Sequence, residues 1–177
     1  AGTFEMLYEN GEFFFIEMNT RIQVEHPITE MITGFDLVKE QINVASGKKL
    51  SIKQKDINIK GHSIECRINS EDPNTFIPNA GTINNYHTPG GLGIRIDSAL
   101  YSGYKVPPNY DSLISKLIVY GKNREEAILK LKIALEEYVI DGIDTTLSLH
   151  DKIIREEKFI TGDYDIRWLE NFLDIND

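Results

Sequence analysis

Phe13-Phe14-Phe15-Ile16-Glu17-Met18-Asn19-Thr20-Arg21-Ile22-Gln23-Val24-Glu25-His26-Pro27 is the stretch on which the reading of this chain turns. It opens on aromatics, which suit a pleated, half-buried strand. From Glu17 onward a polar or charged side chain recurs at every second position: Glu17, Asn19, Arg21, Gln23 and Glu25. Side chains alternate across a strand, so an extended chain points these five one way and Ile16, Met18, Ile22 and Val24 the other way, into a core. An alternating strand with a polar side is ordinarily a solvated face. Such a face has no need of Asn, Arg and Gln between its carboxylates, because Lys, Thr and Ser serve as well.

A hairpin from Gly2 to Asn19 brings a further carboxylate into play. Asn10-Gly11 is the strongest short turn signal in the chain. As a two-residue turn it pairs Glu9 with Glu12 and sets Glu5 opposite Ile16, on the wrong face. As a type I turn over Glu9-Asn10-Gly11, with Gly11 at a left-handed bulge, it pairs Tyr8 with Glu12 and puts Glu5 on the face of Glu17 and Asn19. The bulged register is the expected one. Glu5, Glu17 and Asn19 then form an all-oxygen cluster of the kind hard divalent cations take, usually together with substrate phosphates.

The 177 residues carry a net charge of −9 and no basic stripe, which argues against nucleic acid as a partner. Cys66 is the only cysteine, so no internal disulfide exists, as suits a reducing cytoplasm. It reads as a packing residue beside Ile64 and Ile68. No apolar run reaches the roughly 18 to 20 residues that span a bilayer, so no membrane partner is expected. The chain opens at Ala1 inside a strand pattern, without leader or cap, and is expected to be the C-terminal piece of a longer protein.

Beyond Pro27, helical spacing runs from Thr29 to Ser46, with Gly34 as a break and Gly47 as a stop. A Lys-rich connector follows, and the domain boundary is placed at Lys60, giving units 1–59 and 60–177. His62 to Asn69 alternates strictly: His62, Ile64, Cys66 and Ile68 on one side, Ser63, Glu65, Arg67 and Asn69 on the other. Strands are expected at Gly81 to His87, Ile94 to Ala99 and Leu113 to Tyr120. Asn123 with Glu126 is a capping box opening a helix from Arg124 to Tyr138. Further helices are expected at Thr145 to Glu156 and Asp165 to Leu173. The second unit is therefore α+β, a small antiparallel sheet with packed helices. Gly90-Gly91-Leu92-Gly93 has no Walker spacing and is a turn between strands, not a phosphate loop. His26, His62, His87 and His150 are scattered, without zinc-site spacing, and read as structural or surface residues.

The run Glu17 to Pro27 closely resembles a signature of the biotin carboxylases, the biotin-dependent branch of the ATP-grasp ligases. Gly61 to Asn69 with Glu71-Asp72-Pro73, Thr88-Pro89-Gly90-Gly91 and Tyr110-Asp111-Ser112-Leu113-Ile114-Ser115-Lys116-Leu117 resemble further family motifs, in family order, over essentially the whole chain. The resemblance implies a fold: the C-terminal edge of an ATP-grasp domain, residues 1–59, followed by a biotin carboxylase C-terminal domain. It implies carboxylation of biotin on biotin carboxyl carrier protein by ATP and bicarbonate, through carboxyphosphate. The enzyme implied is a cytoplasmic acetyl-CoA carboxylase serving fatty-acid synthesis. Carboxyltransferase subunits are its partners, and the full-length protein is a homodimer. Pyruvate or propionyl-CoA carboxylases remain the alternative, and a non-catalytic dimerisation module remains one for the fragment alone.

The same resemblance distributes roles. Glu5, Glu17 and Asn19 hold magnesium or manganese, two ions being expected. Glu5, Leu7, Glu17 and Ile166 bind ATP, Leu7 and Ile166 lining the adenine pocket. Arg21, Gln23 and the backbone of Val24 hold bicarbonate, consistent with an Arg fork for an oxyanion and an amide that both donates and accepts. Glu25 is the general base. Arg67 stabilises the enolate of biotin, against the alternative of a surface pair with Glu65, worth under about 1 kcal/mol. Arg95 matches an interface arginine, and Leu92 departs from the aromatic common beside it. The family's glycine-rich lid and phosphate-binding lysines lie outside these residues, so the 177 residues alone are not expected to turn over ATP.

Overall fold

The computed structural model describes residues 1–173. Internal contacts divide the chain into two compact units between Lys60 and Gly61. Among the described residues, no helix is long and apolar enough to cross a membrane.

The first unit begins with an antiparallel pair, β1 (Thr3–Glu9) and β2 (Glu12–Asn19). Glu9 faces Glu12 across a two-residue turn, with Asn10 at φ 51° and Gly11 at φ 89°. Positive φ at both positions is the type I′ turn that matches strand twist, so the bulged turn expected from the sequence is wrong. Yet Glu5 still faces Glu17, because the bulge lies elsewhere: Met6 pairs with Phe15, leaving Ile16 as the extra residue. A second correction concerns strand length. β2 ends at Asn19, so Arg21, Gln23 and Glu25 do not continue the alternation.

The helical stretch breaks at Gly34, as its sequence indicates, into two helices. α1 (His26–Thr33) carries Pro27 in its first turn and stops at Gly34, whose φ of 77° is the left-handed cap. α2 (Leu37–Ala45) starts at Asp36, whose carboxylate accepts from the Lys39 amide at 2.8 Å. Within residues 1–60 only Pro27 is buried. The apolar side of β2 therefore lacks the core expected for it: Ile16 is 53% exposed and Met18 47%. A two-stranded ribbon has no second layer of its own to cover either face.

The second unit has β3 (His62–Asn69), β4 (Tyr86–His87), β5 (Ile94–Ser98), β6 (Leu113–Gly121), α3 (Arg124–Glu137), β7 (Val139–Ile140), α4 (Leu147–Arg155), α5 (Glu157–Thr161) and α6 (Trp168–Phe172). β3, β6 and β5 form an antiparallel sheet in that order, and β4 pairs with β7. The strand expected over Gly81 to His87 shrinks to two residues. The Ile83 amide donates to Tyr104 and the Asn84 amide to Asp141, so the backbone changes partner too often for one ladder. The final helix is likewise shorter than expected.

The core forms where α3 lays Ala127, Leu131, Ala134 and Leu135 against Cys66, Ile68, Leu117 and Val119 of the sheet. The Tyr138 hydroxyl reaches into this core and is satisfied by Ser115 at 2.6 Å and Tyr86 at 3.2 Å. Asn123 caps α3 by accepting from the Glu126 amide at 2.9 Å, while the Glu126 carboxylate meets Lys130 at 2.9 Å. Asn123→Ala is expected to lower unfolding stability by about 1 kcal/mol, measured as a shift of the urea midpoint at constant slope.

Candidate functional site

The bulge at Ile16 sets the first part of the site. Glu5 and Glu17 face each other across the ribbon, and Asn19 lies two residues further along the same side. The Asn19 amide nitrogen donates to Glu5 Oε1 at 2.7 Å and to Glu17 Oε1 at 3.1 Å. Gln23 Nε2 adds a bond to Glu5 Oε1 at 3.0 Å. Two carboxylates directly opposed across a ribbon repel, and the Asn19 amide offsets this by donating to both.

This donor set fits a hard cation. A half-turn of the Asn19 amide exchanges its nitrogen for its oxygen, giving two carboxylates and a carbonyl oxygen around one point. Among the described residues, no three His, Cys, Asp or Glu side chains gather as a metal site. The set is thus the partial, oxygen-only kind that magnesium completes with waters and substrate phosphates.

The second part is a cavity of ≈ 330 Å³ in the first unit, lined by Arg21, Gln23, Glu25 and His26 among others. Chain reversal ahead of α1 gathers these side chains, where an extended strand would have set them in a row. The His26 and Ile28 amides bond the carbonyls of Gln23 and Glu25 at 3.3 and 3.1 Å. Pro27 favours this entry, since its fixed φ suits a first helical turn. The His26 ring, through Nδ1, meets the Gln23 carbonyl at 2.8 Å. A carbonyl only accepts, so the proton sits on Nδ1. His26, read from sequence as structural or surface, thus braces the turn and lines the cavity; its place beside Glu25 and Pro27 was the available signal.

Arg21 and Glu25 are exposed, and Arg21 donates to the Ile22 carbonyl at 3.3 Å. Gln23 Oε1 is buried without a hydrogen-bond partner. An orphaned acceptor is costly, and a donor entering the cavity would relieve it. Val24 is half-buried in the same turn.

Arg67 belongs to the second unit. It is exposed on β3, on the face opposite the buried Cys66 and Ile68. Lys116 and Asp97 complete its row across the sheet, and Arg95 grips Asp97 through two bonds of 2.7 and 2.8 Å. Burial pushes the Cys66 thiol up to about 12, and the neighbouring Glu65 charge adds to this. It stays protonated and is no nucleophile. Leu7 is 52% exposed and Ile166 87% exposed, so neither is the core residue that apolarity alone suggests. Leu92 stands 93% exposed in its glycine turn.

A family model described as the biotin carboxylase C-terminal domain matches residues 65–171, well over half the chain. The chain belongs to the biotin carboxylase family. The ATP-binding domain model of the carbamoyl-phosphate synthase L chain matches residues 1–53. The architecture is thus an ATP-grasp edge followed by the α+β C-terminal domain of the biotin carboxylases. A biotin carboxylase from Haemophilus influenzae is 60% identical over 177 residues, all of this chain and 40% of that protein. One of the pyruvate carboxylase subunits of Methanothermobacter thermautotrophicus is 58% identical, over 97% of this chain and 35% of that protein. The biotin carboxylase domain dimer of Hydrogenobacter thermophilus 2-oxoglutarate carboxylase was solved with MgADP, ADP and bicarbonate. It superposes with a TM-score of 0.94 at 49% identity, over 99% of this chain and 39% of that one. This biotin carboxylase family member therefore spans about two fifths of the length of such relatives.

Proposed function

We propose that the full-length protein carboxylates biotin, using ATP and bicarbonate with carboxyphosphate as the intermediate. One observation carries the reading: Arg21, Gln23 and Glu25 line a single cavity, and Gln23 ties that cavity to the Glu5–Glu17–Asn19 cluster through its 3.0 Å bond to Glu5. A phosphate held at the cluster and an oxyanion held in the cavity would thereby be neighbours.

In this mechanism Arg21 holds the bicarbonate oxygens through its guanidinium fork. Gln23 and the Val24 backbone complete the cradle, leaving the single bicarbonate hydroxyl to Glu25. Glu25 removes the proton as bicarbonate attacks the terminal phosphate of ATP, leaving ADP and carboxyphosphate. Glu5, Glu17 and Asn19 would hold magnesium or manganese, which would neutralise charge on the phosphates. Leu7 and Ile166 contribute apolar contact to the adenine. Carboxyphosphate then breaks to carbon dioxide and phosphate. The released phosphate takes the ring N–H proton of biotin, Arg67 stabilises the enolate so formed, and the ring nitrogen takes up carbon dioxide.

Residues 1–59 serve as the ATP-grasp edge and 60–177 as the C-terminal domain in this reading. The biotin is carried on biotin carboxyl carrier protein. The whole enzyme is a cytoplasmic, homodimeric acetyl-CoA carboxylase component working with carboxyltransferase subunits. A 2-oxo acid acceptor is the alternative, supported by the 58% identity to a pyruvate carboxylase component, in which the biotin half-reaction would be the same.

The test is ADP release by the full-length protein with bicarbonate, with and without free biotin. Stimulation by biotin is expected; its absence would leave an ATP-grasp ligase with another acceptor. Glu17→Gln is expected to raise the magnesium concentration for half-maximal release at least about tenfold, since even an outer-shell change of a metal site costs that much affinity. An unchanged magnesium titration would remove Glu17 from the metal.

A further inference from the structure

β3 is an edge strand, with β6 on one side only. Its other edge, at Arg67 to Asn69, is closed by the start of α4. Thr146 Oγ1 donates to the Arg67 carbonyl at 3.2 Å and accepts from the Asn69 amide at 3.0 Å. The Thr146 amide donates to the Asn69 carbonyl at 3.1 Å. His150 Nε2 donates to the Arg67 carbonyl at 2.8 Å.

Thr146 stands at the N-cap of α4, yet its hydroxyl makes no bond to its own helix. A threonine there ordinarily caps the helix. Here the hydroxyl is 4% exposed with the rest of its residue and is committed to β3 instead. Desolvation lowers the pKa of the half-buried His150 below the usual imidazole value, although its bond to Arg67 works the other way. The Arg67 carbonyl thus has two donors, 79 and 83 positions further along the chain. Protecting an open edge needs only that it be covered. Two donors on one carbonyl do more: they fix ψ of Arg67, and with it the direction in which the side chain leaves the strand.

We propose that His150 and Thr146 are positioning residues for Arg67, aiming its guanidinium at the ureido carbonyl oxygen of biotin. The inference rests on the biotin role proposed for Arg67 above.

The experiment uses the full-length protein and compares ADP release with bicarbonate alone against release stimulated by free biotin. His150→Leu keeps bulk and removes the donor. Its biotin-stimulated rate is expected to fall about fivefold, the worth of one hydrogen bond, with release in bicarbonate alone unchanged. His150→Gln, which can still donate to the carbonyl, is expected to recover most of the loss. A parallel fall in both rates would make His150 merely structural, and no fall in either would equally overturn the proposal. Should the leucine variant not fold, His150→Asn supplies the same comparison with a polar but shorter side chain. Stimulation in the natural protein with an unaffected His150→Leu refutes the positioning alone. No stimulation in the natural protein refutes the carboxylase reading, and the positioning role with it.

Discussion

Arg67→Ala in the full-length protein abolishes most biotin-stimulated ADP release, by about 10²- to 10³-fold, while the slow release in bicarbonate alone persists. The magnitude is that of removing one fixed group from the site of developing negative charge. The separation of the two rates follows from where Arg67 sits. It lies on β3 of the second unit, whereas the carboxylate cluster and the cavity are built entirely from residues 1–60. In the proposed mechanism bicarbonate and the ATP phosphates are handled there, so a change on β3 should leave that chemistry intact. Arg67→Lys tests the geometry: a point charge replaces a planar fork, and recovery should be partial. A simultaneous loss of both rates would place Arg67 in nucleotide binding instead.

Glu25→Gln should cost a similar factor, but in both rates. A positioned general base contributes about 10² to 10⁴, and in the proposed mechanism proton removal from bicarbonate precedes everything biotin does. Glu25 takes the N-cap position of α1, but its side chain makes no cap bond there. The substitution keeps size and polarity, so the fold should be undisturbed, and an unchanged thermal midpoint checks this. If Glu25→Gln spares the rate in bicarbonate alone and lowers only the stimulated one, the base belongs to biotin and not to bicarbonate. The pair of variants therefore orders the chemistry: one group ahead of carboxyphosphate, one behind it.

Some of this was legible because it is local. The α3 cap depends on Asn123 and the amide three residues on. Gly34 ends α1 because only a left-handed residue closes that turn without strain. The β3 alternation sends Cys66 and Ile68 inward and Arg67 outward, as the period of two requires. Other features were missed through their partners. Residues 81–87 have strand character, but the backbones they meet come from two separate segments, and only Tyr86–His87 pair as a strand. Arg21 to Glu25 keep the alternating pattern of a strand, yet the helix start at His26 pulls them into a turn.

The Glu5–Glu17 pairing shows the limit most clearly. The sequence put Glu5 on the face of Glu17 through the wrong device, because a hairpin can absorb one extra residue at its turn or along its length. Residue types cannot choose between Gly11 and Ile16 as the place. By itself the sequence determined the family, the chemical inventory of the site and the elements that carry it, since these follow from side-chain chemistry and short-range periodicity. Tertiary structure alone decided that Glu5 faces Glu17, that His26 joins the cavity, and that Thr146 and His150 hold the Arg67 carbonyl. Those depend on which backbone groups meet across a bulge, a turn or a long stretch of chain, and no local pattern encodes such a meeting.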